Sequence, residues 1–84
     1  MTIKPYQRVA LTRDLPEHGL NKGDVAVVVE HLTATSASKG EEGCALEVFN
    51  AIDETIAVVI VPVSAVKPLT ENEILQVRPL SRTK

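Results

Sequence analysis

Two short runs of β-branched residues constrain this chain more than any other feature. They are Val25-Ala26-Val27-Val28-Val29 and Ile56-Ala57-Val58-Val59-Ile60-Val61. Valine and isoleucine lose χ1 freedom against the preceding turn of a helix. Each run is also closed by turn residues within about eight positions, too short for a typical helix. Both therefore read as strands, Asp24–Glu30 and Thr55–Val61. In the first, Val25, Val27 and Val29 point one way and Ala26, Val28 and Glu30 the other. With the three valines toward the core, Ala26 and Val28 face out. The second strand is apolar on both faces.

Three more strands fit around these. Tyr6–Thr12 places Val9 and Leu11 on one face. Cys44–Phe49 places Cys44, Leu46 and Val48 inward and Glu47 outward. Val66–Leu69 is a short last strand after a one-turn connector at Pro62–Ala65. Arg13–Gly23 carries the turn residues Pro16, Gly19 and Gly23, yet also Leu15 and Leu20. A loop with two leucines folds back and tucks them onto the core, presenting Pro16, Glu17 and His18 outward. Thr33–Gly43 is Ser/Thr/Ala-rich and reads as a mobile loop, and Asn50–Glu54 as a tight turn. The expected fold is all-β: a small five-stranded SH3-like barrel over residues 1–69, with a C-terminal extension over 70–84. Closure would remove the open edges of such short strands.

Eighty-four residues make one domain, burying only about 60–65% of the unfolded surface. With Tyr6 and Phe49 the sole aromatics, there is no platform for stacking bases. Nine basic and 11 acidic residues, net charge −2, argue against a general affinity for phosphates. The charges are unevenly spread. Seven acids and one base, Lys67, lie between Glu41 and Glu73, whereas Arg78, Arg82 and Lys84 close the chain without an acid. That split can orient a partner, though an ordinary solvated surface is the favoured explanation. Cys44 is the single cysteine, which rules out an internal disulfide and a cysteine-based zinc site; it reads as a buried small hydrophobe. The opening Met-Thr-Ile-Lys-Pro has no signal-peptide run, and no stretch approaches the roughly 18 apolar residues of a membrane span. A reducing cytoplasm is the expected location.

The stretch from Leu11 to Val25, Leu-Thr-Arg-Asp-Leu-Pro-Glu-His-Gly-Leu-Asn-Lys-Gly-Asp-Val, followed by Val27-Val28-Val29-Glu30, resembles a family of short bacterial proteins known only as domain of unknown function 4926. Glu47-Val48-Phe49-Asn50-Ala51, Glu54-Thr55-Ile56-Ala57-Val58-Val59 and Val66-Lys67-Pro68-Leu69 are similar to its later landmarks. The likeness spans about residues 6–69. The chain departs from the pattern at Ala26, where glycine is usual, in a longer Thr33–Gly43 loop, and in its extended tail. The resemblance implies a fold and no assigned activity. The layout is also similar to the SH3-like part of the nitrile hydratase β subunit and its accessory proteins, and to small barrel subunits of photosynthetic complexes. Those relatives bind other proteins; likeness of fold does not transfer function.

Candidate chemistry is sparse. His18, beside Glu17 and near Asp14, has the neighbours of a general base, but no nucleophile is tied to it. A structural turn histidine has the same surroundings. His18 and His31 are not brought together by spacing, and Asp14, Glu17 and Asp24 match no calcium loop. The four glycines form no phosphate cradle. Asp24 after Gly23 reads as a strand-entry turn whose carboxylate accepts backbone N–H bonds.

One sequence echo remains. Val66-Lys67-Pro68-Leu69-Thr70 and Val77-Arg78-Pro79-Leu80-Ser81 share a pattern of valine, base, proline, leucine and hydroxyl, 11 residues apart. So small a barrel cannot bury both faces of its fourth strand. Either Ile74, Leu75, Val77 and Leu80 cover the outer face within the chain, or another chain does. The chain is read as a non-enzymatic protein-interaction module, a small partner or regulator of another cytoplasmic protein, and a homo-oligomer. Candidate partner-binding residues are Pro16, Glu17, His18, Val59, Leu75 and Val77. No cofactor, metal, nucleic acid or membrane is expected as a partner. The alternatives are a nucleic-acid-binding small barrel, left open by the basic end, and an accessory subunit of an enzyme.

Overall fold

A computed structural model of the chain describes residues 6–33 and 41–80. Most of the expected loop Thr33–Gly43 lies outside them, as do Arg82 and Lys84. Five antiparallel strands form one sheet: β1 (Arg8–Leu11), β2 (Val25–Leu32), β3 (Gly43–Phe49), β4 (Thr55–Pro62) and β5 (Val66–Pro68). Their order is β4-β3-β2-β1-β5. Two single turns of 3₁₀-helix, Pro16–His18 and Val63–Ala65, join β1 to β2 and β4 to β5.

The all-β reading and the strand sequence hold, but the sheet does not close. β4 and β5 are its two edges. With three residues, β5 pairs with β1 from Val9↔Pro68 to Leu11↔Val66 and goes no further.

One face of the sheet carries the core. Val9, Val28, Leu46, Val61 and Val66 are fully enclosed, joined by Leu11, Cys44, Val48 and Ala65. β2 turns the opposite way from the sequence reading: Ala26 and Val28 are buried, while Val25, Val27 and Val29 are only half-buried. Register decides this. Ala26 stands opposite Val9, and directly opposed residues of an antiparallel pair share a face. Once β1 commits Val9 and Leu11 to the core, Ala26 must follow. The step between Val28 and Glu30 in the pairing with β3 is a bulge that leaves Val29 as the extra residue.

The leucine loop is anchored as its composition implies. Leu15 and Leu20 form an isolated bridge, each donating its N–H to the other's carbonyl at 2.9 and 3.1 Å, and both enter the core. Gly19 closes the turn at φ 69°, where its N–H reaches the Pro16 carbonyl. The Asn50–Glu54 turn is held by the Asn50 side-chain oxygen, which accepts the N–H groups of Ile52 and Glu54. Asp53 there adopts φ 66°, which aspartate tolerates better than most residues.

Candidate functional site

The sequence-derived partner-binding residues fall in three separate places. Pro16, Glu17 and His18 are exposed on the first 3₁₀ turn. Val59 is not on the surface: at 9% exposure it belongs to the core. It stands opposite Leu46, so the alternation of β4 sends it inward with Val61. The outward residues are its neighbours Val58 and Ile60, 62% and 64% exposed. Leu75 and Val77 lie in the tail, both exposed.

Of the two carboxylates the sequence sets near His18, Asp14 is held by the loop backbone: it accepts the Lys22 N–H at 2.8 Å. The paired acids Glu41 and Glu42 brace the second 3₁₀ turn: Glu41 accepts the Ser64 N–H at 2.9 Å, and the Glu42 carbonyl accepts the Val63 N–H. Hydrogen bonds from Ser64 hold the Glu41 carboxyl below its ordinary value of 4.5. His31 Nε2 lies 2.8 Å from Glu42 Oε1. Among the described residues no group of three or more His, Cys, Asp or Glu side chains is placed to hold a metal. No helix among them is long and apolar enough to cross a membrane.

The tail makes the most specific arrangement. After β5 a turn at Glu71–Asn72 is closed by Glu73, which accepts the Thr70 N–H and pairs with Lys67. Residues 74–80 then run without regular structure to Arg78, which grips Asp24. Nε donates to Oδ1 at 2.8 Å and Nη2 to Oδ2 at 2.6 Å. Asp24 is fixed from behind, because its Oδ2 also accepts the Asn21 N–H at 2.8 Å, the strand-entry role its position implied. Burial pushes the Asp24 carboxyl up, but the Arg78 hydrogen bond, the Asn21 N–H and the Arg78 charge outweigh it and hold it below 3.8.

Between the tail and the sheet runs an open groove of about 760 Å³. Val25, Val27, Phe49 and Ile52 supply apolar wall, and Asp24 and Arg78 are part of its lining. The sequence reading missed the Asp24–Arg78 pair and the exposed Ile52. The surplus of arginine beyond Leu69 was a signal for the pair, but nothing local names its acceptor.

Residues 6–68 match a family described as a domain of unknown function (DUF4926). The chain belongs to this family. The match ends on the last residue of β5, so the DUF4926 domain comprises the whole sheet and the tail lies beyond it. Asp24 is part of the matched domain; Arg78 is not. No curated protein and no solved structure matches the chain.

Proposed function

We propose that this DUF4926 domain is a non-enzymatic protein-interaction module, a small cytoplasmic partner or regulator of another protein, which also self-associates. The observation that carries the reading is the outer edge of β4. It is eight residues long, Thr-Ile-Ala-Val-Val-Ile-Val-Pro, without a charge, and among the described residues it pairs with β3 alone. Natural edge strands are shielded by lysine, by a mid-strand proline or by shortness. β5 is short, whereas β4 has only its terminal Pro62 and presents Val58 and Ile60 to solvent. Such an edge is a template for strand addition by another chain, and a second copy offers the same edge in antiparallel register. The lone buried Cys44 fits a reducing compartment.

The test uses the full chain and V58K/I60K. Sedimentation equilibrium at tens of micromolar, a working range for weak contacts of about 6–8 kcal/mol, should give a wild-type dimer and a monomeric variant. Affinity capture from the native cell should retain a protein on wild type that the variant loses, with little response to salt. A wild-type monomer removes the self-association. A captured species that is nucleic acid and falls away steeply with salt replaces the reading.

A further inference from the structure

We propose that the Asp24 carboxylate at the entrance of β2 is a docking point for an extended peptide carrying an arginine between aliphatic residues and followed by proline, and that segment 74–80 is its intramolecular occupant. The site is separate from the β4 edge.

Apolar burial does not hold the tail in place. Ile74 and Val77 are 88% and 94% exposed, and Leu75 and Leu80 are about half exposed (54% and 46%). An apolar segment left in water is fixed instead at two ionic points, Lys67–Glu73 and Arg78–Asp24. The second is the better built. The Asp24 side chain is 18% exposed, its orientation is set by the Asn21 N–H, and both oxygens meet the guanidinium fork. A carboxylate held in one orientation accepts a cation well, and the two-point geometry selects arginine over lysine.

The occupant is suited to binding at low entropic cost. Arg78 precedes Pro79, and a residue before proline is steered to extended backbone. The aliphatic-Arg-Pro-Leu segment is therefore partly ordered before it docks. The domain owns the carboxylate, while the arginine comes from beyond residue 68. The tail is thus positioned as a tethered ligand, and a peptide of the same chemistry competes with it. The upstream echo cannot serve, because Val66-Lys67-Pro68 is paired into the sheet as β5.

The experiment titrates a labelled synthetic peptide of residues 74–80 into full-length wild type and full-length R78A, followed by fluorescence anisotropy. R78A frees Asp24 and should bind about threefold to fivefold more tightly than wild type, whose open fraction limits its apparent affinity. Replacing the peptide's arginine with alanine should weaken binding to R78A by about threefold to fivefold, the upper range for a partly exposed ion pair. Replacing it with lysine should weaken binding less. D24N combined with R78A should bind both peptides as weakly as R78A binds the alanine peptide. Equal binding by wild type and R78A, or no penalty for the alanine peptide, overturns the proposal. The peptide series is read on one folded protein, so it decides the matter even where D24N disturbs the fold. Val58 and Ile60 are untouched throughout, so failure here is distinct from failure of the β4 reading.

Discussion

Arg78 lies 54 residues from Asp24 in sequence, yet its guanidinium bonds both oxygens of that carboxylate. The pair joins the tail to the entrance of β2. No residue of the tail enters the core cluster, so the contact governs where the tail lies more than whether the sheet folds.

That separation gives the first prediction. R78A should change global stability by less than about 1 kcal/mol, as expected for a partly exposed ion pair. Backbone order over residues 74–80 should nevertheless fall to that of free chain. Chemical denaturation and backbone ¹⁵N relaxation on one sample check both halves.

The pair also sets a pH dependence. The Asp24 carboxyl is held below its ordinary 3.8 in the folded protein. Its contribution is thus fully present above that value and lost as pH falls through the lower, folded one. Tail order should survive to pH 4 and be lost only below 3.8, as pH falls through the folded-state value, while D24N should leave the tail disordered at any pH. Backbone ¹⁵N relaxation across pH 2–6 reads this directly.

The leucine loop predicts a contrast in stability. Leu20→Ala removes a side chain from the core cluster and should cost about 2–4 kcal/mol. Glu17→Ala, three residues away and exposed, should stay within about 0.5 kcal/mol. Urea unfolding midpoints compare them, and equal effects contradict the anchoring.

Gly19 offers a test of backbone strain. A Cβ there meets nothing within 4 Å, so only its φ of 69° resists substitution. Gly19→Ala should cost roughly 1–2 kcal/mol, and Gly19→Asn distinctly less, because asparagine enters the left-handed region more readily. Thermal melts of the two variants give the ordering.

Cys44 predicts a silent thiol. It is fully enclosed, and burial pushes its pKa above 9.0. At neutral pH an aromatic disulfide reagent should react with it only through opening of the sheet, at a rate that rises with denaturant. Fast labelling of the native protein contradicts the burial.

The sequence by itself determined the strands and the leucine anchors, because these rest on local physics. β-branched runs exclude helix, turn residues cut the chain, and Leu15 and Leu20 have too much apolar surface to leave in a polar loop. It also placed Asp24 at a strand entry, since a carboxylate just ahead of a strand has backbone N–H groups within reach. The facing of β2 was beyond it. Both faces of Val25–Val29 are apolar, so period alone cannot choose, and the pairing of Ala26 with Val9 had to. The same holds for Val59, inward only because it stands opposite Leu46. Tertiary structure alone left the sheet open at β4 and β5 and brought Arg78 to Asp24, because edge exposure and an ion pair across 54 residues depend on where strands lie in space, to which no local pattern responds.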